Sequence, residues 1–421
     1  MLPRIKAVLL ATSLVLVLAS ALFGADRNPS PPAASRPGSM DCQSLGQPNP
    51  LSFVDPTVCV YGNLARVFVD SGVYIAPFAV LTTGQNLIVI GKNSNVQDSV
   101  IVDATNGNIT LGEEAILAHG ATVTGPATIG VDGVCPDPAA HHCPSFVGFN
   151  AVVNDSIVQK NAMVLHLARV DGGTITSGKF LEQGKWVSPR QGGGEDGRTG
   201  DVDQSLIDFM AAVVHVNEAF AAEYPVLVSH EGDDSVYGIN FNPETEFNEH
   251  SVLPTLAGVA TQDPDFRNRI IGPVTMTNSL AQLGPGGRLM GNQVSLRGDE
   301  GFPFTVGRIL RMSDNFTMHA LENEDDKMNP IILGSNGSYG THSIVHGGGH
   351  QLTVTGNNFT LGERAVFFKS QMTGATSIVG NYSLVENSKY EKPIRVGNCT
   401  IVVENTISRL EWSDLVPGGC N

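Results

Sequence analysis

Apolar residues recur at every sixth position in two separate stretches of the chain. In the first, Ile90, Val96 and Val102 stand six apart, as do Leu111, Leu117, Val123 and Ile129, with glycines following at Gly91, Gly112 and Gly130. Such a period fits neither a helix at 3.6 nor a half-buried strand at 2. It fits a hexapeptide β-helix, in which three short strands make one triangular coil and the apolar residue points into the prism. No coil buries its own core, so stacking supplies the stability. The period returns at Val306, Met312 and Met318, at Leu333, Tyr339 and Val345, and at Leu361 and Phe367, with Gly307, Gly334 and Gly362 in the matching places. The acidic stretch Leu321–Pro330 interrupts this second run and reads as a loop projecting from the prism.

The pattern predicts an all-β chain with a minor helix: two tandem left-handed parallel β-helices, at 50–178 and 256–421, with an α-helix between them. The connecting region, 179–255, holds a Gly-rich loop at Gln191–Gly200 and a helix at Ser205–Tyr224. That helix has apolar residues at Ile207, Met210, Val214 and Ala221 and no internal Gly or Pro.

Length and composition agree with several β-rich units. The 421 residues are 41% hydrophobic and carry 47 Gly and 24 Pro, which favours many turns and short strands over a helical bundle. A net charge of −16 argues against nucleic acid as a partner, because phosphates need a basic face. Arg4 and Lys6 precede an apolar run from Ala7 to Phe23 and an Ala-x-Ala-like exit near Ala25. This reads as a signal peptide, 1–25, followed by a Pro/Ser-rich spacer, 26–49. The expectation is a secreted or extracytoplasmic protein; an uncleaved membrane anchor is the alternative. Six cysteines (Cys42, Cys59, Cys135, Cys143, Cys399, Cys420) form three pairs close in sequence, with Cys135–Cys143 the favoured local disulfide and the connectivity otherwise open. Seven sequons, at Asn108, Asn154, Asn315, Asn336, Asn358, Asn381 and Asn398, fit surface loops of an exported glycoprotein.

Phase singles out three histidines. His319 follows the inward Met318 and His346 follows Val345, so both emerge from one face. His119 stands two places after Leu117 and can meet them only from another prism. His342 is out of register for either role, His141 and His142 read as exposed, and His166, His230, His250 and His350 carry no supporting pattern.

The segments Ser94–Ala104 (SNVQDSVIVDA) and Leu117–Gly130 (LAHGATVTGPATIG) resemble the gamma-class carbonic anhydrases. So do Val294–Gly307 (VSLRGDEGFPFTVG), Asp314–Glu322 (DNFTMHALE), His342–Gly348 (HSIVHGG) and Phe359–Ser370 (FTLGERAVFFKS). The acidic loop after His319 is similar to that of one subclass. The resemblance implies three metal-binding histidines between two β-helices, two from one and the third from its neighbour. Here the first half keeps only the neighbour-side ligand, His119, with Asp103 and Thr124 at the other two positions. The second half keeps His319 and His346, with Thr341 at its neighbour-side position.

A single hybrid site follows. Asn95 and Gln97 match the family's pocket residues in the first half, while Arg297, Asp299 and Glu300 match in the second. Asn217 on the inter-repeat helix matches a pocket Asn. Glu300 and Glu322 match proton shuttles, and Arg297 with Asp299 and Asp98 reads as an ion pair between the prisms.

The implied activity is hydration of CO2 to bicarbonate. Three imidazoles hold Zn²⁺, with Fe²⁺ or Co²⁺ as alternatives, and leave a position for a water acidified into the neutral range. Gln97 would orient that water, Asn95 would assist with substrate, and self-association is expected. A binding or structural protein without turnover is the rival reading. A hexapeptide acyltransferase is disfavoured, because export removes the acyl-CoA supply.

Overall fold

The structure is a computed structural model. It describes residues 41–135, 142–189, 197–233, 235–239, 252–261, 268–284, 288–300, 304–320, 329–347 and 352–420. The loop containing Glu322, with His141, His250 and His350, lies outside them, as does the N-terminal segment 1–40.

Cys42–Asn421 forms one compact unit holding two prisms. The strands of the first form sheets of eight, seven and six, and those of the second form sheets of eight, eight and five, nearly all parallel. Parallel pairing puts equivalent residues of successive coils in register. Val54, Ile75, Val96, Leu117, Val147, Val164 and Leu181 thus stack as one inward column of the first prism. Ile270, Leu296, Met318, Val345, Phe367, Val385 and Val402 do the same in the second. Both columns belong to continuous buried cores, as the six-residue period requires. Burying each such side chain contributes about 1.5–3 kcal/mol. The glycines after the apolar residue have a steric cause: a Cβ on Gly112 would lie 2.1 Å from the carbonyl oxygen of Gly130 in the next coil.

The first prism runs on past the expected boundary at 178. Lys179–Leu181 and Trp186–Val187 are further rungs, and Thr199–Asp201 closes one sheet antiparallel. Ile175, Leu181 and Val187 keep the six-residue spacing and lie in the same buried core, so the period itself continues past that boundary.

The helix α1 spans Gln204–Glu231, seven residues beyond the expected end, and carries Pro225 internally. Proline costs one backbone hydrogen bond there, but Tyr224 and Leu227 on either side are buried against Phe53 and Tyr74 and offset the loss. Asp203 caps the N-terminus by accepting from the Leu206 amide. By length and composition α1 could cross a membrane; in this structure its Met210, Val214 and Phe220 are spent on the outward side chains of the first prism. Three local disulfides, Cys42–Cys59, Cys135–Cys143 and Cys399–Cys420, pin the ends and one loop.

The prisms meet along one seam. Backbone hydrogen bonds from Gly120 to Asp98, Asn150 to His119, Leu167 to Phe149 and Gly184 to His166 show that Asp98, His119, Phe149, His166 and Gln183 occupy the same corner of successive coils. Opposite them, Arg297, His319, His346, Phe368 and Glu386 form one outward column of the second prism. The two columns mesh coil by coil, from the Asp98–Arg297 ion pair at one end to a Gln183–Glu386 hydrogen bond of 3.2 Å at the other.

Candidate metal centre

His319 and His346 are paired neighbours on the strands Thr317–Ala320 and Ile344–Gly347. His119 reaches them from the turn after Ala115–Leu117. Its Nε2 lies 3.1 Å from Nδ1 of His319, and one nitrogen from each of the three rings falls within 4.8 Å of the others. A zinc-sized ion with bonds of about 2.0–2.1 Å holds its nitrogens roughly 3.3 Å apart. The triad therefore needs only slight closure to hold such an ion.

Burial lowers the pKa of all three rings: that of His119 against the opposing pull of Asp98, those of His319 and His346 with help from neighbouring positive charge. Neutral imidazoles are the form that binds metal. Nδ1 of His346 has no hydrogen-bond partner, an uncompensated buried atom that a metal would satisfy.

Outside the ligands, carboxylates set ring orientation. Nδ1 of His119 faces Asp98 Oδ2 at 3.0 Å. Nε2 of His319 faces Asp299 Oδ1 at 3.2 Å and Glu300 Oε1 at 3.4 Å. One guanidinium links both carboxylates: Arg297 donates Nε and Nη2 to Asp98, at 3.1 and 2.9 Å, and Nη1 to Asp299 at 2.9 Å. Burial alone would raise the Asp98 pKa, but Arg297 and the His119 hydrogen bond hold it well below the usual carboxylate range. The Tyr74 hydroxyl accepts from Arg297 Nη1 at 2.8 Å, and the Tyr224 hydroxyl on α1 donates to Asp299. Histidines from two prisms thus share one buried support.

The other sequence-derived residues fall as follows. Asn95 is fully buried with neither amide atom hydrogen-bonded, the kind of orphaned pair that awaits a ligand or water. Gln97 is buried directly before Asp98. Asn217 is buried on α1 and donates its amide to the Val213 carbonyl rather than toward the histidines. Glu300, matched above to a proton shuttle, is buried against His319, because the turn after Arg297 folds into the seam.

No protein-family model matches the chain. A carbonic anhydrase of Methanosarcina thermophila is 26% identical over 197 residues, covering 42% of this chain and 73% of that relative. The carboxysome assembly protein CcmM of a Nostoc species is 25% identical over 185 residues, 41% of this chain, which spans only 30% of CcmM. The chain is a gamma carbonic anhydrase-like left-handed β-helix. Solved structures of a hexapeptide transferase family protein from Anaplasma phagocytophilum (TM-score 0.29, 16% identity, 40% of this chain and 89% of that one) and of an Arabidopsis UDP-N-acetylglucosamine acyltransferase (TM-score 0.22, 11% identity, 88% and 78%) add no argument at such scores.

This carbonic anhydrase-like seam also contains residues that the sequence reading passed over. The Phe149 ring stacks between His346, at a centroid distance of 4.8 Å, and His166, at 4.3 Å. His166 Nδ1 accepts from the Phe149 amide at 3.0 Å, and burial, with Lys369 nearby, pushes its pKa down to about 3. The signal was present: Phe149 and His166 stand two places after the inward Val147 and Val164, the same offset that His119 has from Leu117.

Proposed function

We propose that this protein catalyses the reversible hydration of CO2 to bicarbonate at one metal centre between its two prisms, with zinc as the ion and iron or cobalt as substitutes on the same ligands. The observation that carries the proposal is the meeting of three buried, neutral imidazoles, one from the first prism and two from the second, within reach of a single ion. When bound, such an ion acts as a Lewis acid and brings a water's pKa into the neutral range.

The chain's own groups do the rest. Asp98 and Asp299 hold His119 and His319 with one ring nitrogen turned inward. Asn95 and Gln97 offer amide donors and acceptors to water and substrate. The seam around Phe149 and Phe368 excludes bulk water, which strengthens every polar contact within it. With Glu300 buried, the carboxylate that passes the proton to solvent is assigned to Glu322 on the acidic loop.

Export to an oxidising compartment is part of the proposal. Its support is the N-terminal apolar segment and the pairing of all six cysteines. Self-association is retained as an expectation of the family likeness. A second reading, a β-helix with an assembly role and no turnover, draws on the likeness to the Nostoc carboxysome assembly protein. CO2 hydration followed by stopped flow separates the two: wild type turns over and His119→Ala does not. Equal rates, or none in metal-loaded wild type, reject the enzyme.

A further inference from the structure

The column of the first prism that corresponds to His319 and His346 runs through Thr82, Asp103, Thr124, Asn154 and Asp171, in register coil by coil. Among the described residues, no strand of the second prism covers it. Its far end is instead hollowed into an open cavity of about 490 Å³, bordered by Asn106, Asn154, Asp155, Asp171, Trp186 and, from the C-terminal segment, Leu415. That size lies within the usual range for a small-molecule site.

The floor is preorganised. Asp171 accepts from Arg169 Nε at 2.6 Å and Nη2 at 2.9 Å, from Trp186 Nε1 at 2.7 Å and from Asn154 Nδ2 at 3.2 Å. These four bonds use the acceptor capacity of one carboxylate, so Asp171 is a structural hub with nothing left for a metal ion. Its pairing cancels the charge of Arg169, whose guanidinium also lies 5.7 Å from the Trp412 ring centroid, so an anion gains little there. A neutral ligand remains. The half-buried indole of Trp186, fixed by its own hydrogen bond, offers a rigid apolar wall. Asn106 and Asp155 on the rim add polar groups suited to hydroxyls.

We propose that this cavity binds a pyranose sugar, its apolar face against Trp186 and its hydroxyls toward the Asn106 and Asp155 rim. The site is independent of the metal centre and stands whether or not the chain hydrates CO2. Because Asn154 is also a sequon, the test uses full-length chain made without N-glycans.

The methyl glycosides of glucose, mannose and N-acetylglucosamine are titrated by saturation-transfer NMR, with succinate and inorganic phosphate in parallel. At least one glycoside is expected to bind saturably, to weaken tenfold or more in Trp186→Ala and several-fold in Asn106→Ala, and to be unaffected in His119→Ala. Asn106 is exposed on a turn, so its variant tests the site even if Trp186→Ala fails to fold. No saturable glycoside, binding unchanged in the Asn106 variant, or preference for succinate or phosphate overturns the proposal.

Discussion

The chain contains the same corner twice, once docked and once open. In the first prism, successive coils place Asp98, His119, Phe149, His166 and Gln183 at the corner that meets its companion. In the second prism the equivalent backbone bonds, from His342 to Asp314, Arg364 to Thr341, Tyr382 to Glu363 and Cys399 to Asn381, identify Asp314, Thr341, Glu363, Asn381 and Asn398 as the matching residues. The docked corner keeps imidazoles and a phenyl ring; the open one carries short or charged polar groups, two of them sequons. The outward faces differ in the same sense: His319 and His346 are 2% and 4% exposed, whereas Asp103 and Thr124 are only half-buried. Only the aspartate that begins each corner, Asp98 or Asp314, is common to both. Imidazoles stand where a partner face desolvates them, and water-compatible residues stand where none does.

The most damaging attack on this contrast is at the shared ligand. His119→Ala removes the one imidazole that the first prism brings to the triad and should abolish metal binding and lower CO2 hydration at least a hundredfold. The next is at the support: Arg297→Met strands two buried carboxylates and should cost about 3–5 kcal/mol in denaturant unfolding. The milder Asp98→Asn should weaken metal affinity about 10–100-fold, read by chelator competition.

Acid should distinguish the docked corner as well. His166 has its folded pKa depressed to about 3, so the unfolded state binds more protons below pH ~6.5. Its stabilising contribution is complete above that pH and is lost as pH falls toward 3. His166→Phe should flatten the acid limb of a stability–pH curve. Glu386 has the opposite sign: burial raises its pKa to about 7. Its contribution is present below the unfolded value near 4.5 and is lost as pH rises through 7, so Glu386→Gln should gain about 1–3 kcal/mol at pH 8. The smallest effect is expected from Asp103→His with Thr124→His. Restoring imidazoles to the open face supplies no partner histidine, and the metal content should not change.

Much of this was legible in the chain. The six-residue period marked the inward columns, because β-helix cores repeat with the coil. The offsets of His119, His319 and His346 marked the cluster that could hold a metal. Phe149 escaped notice because the Cys135–Cys143 loop stretches one coil, so that it follows His119 by thirty residues rather than a regular interval. Arg297 was readable as an ion pair, but its grip on Asp98 and Asp299 together with Tyr74 and Tyr224 was not. Tyr224 comes from α1, whose docking onto the seam leaves no periodic trace. The burial of Glu300 was hidden for a related reason: which side of a turn a seam covers is a property of the partner face, and no local pattern encodes it.

The central claim is one ion held jointly by two unlike prisms. Metal content per chain, measured by elemental analysis on zinc-loaded wild type and on His119→Ala, tests it most directly. The account predicts one ion per wild-type chain and almost none in the variant. Two ions per chain, or one that persists without His119, would contradict it.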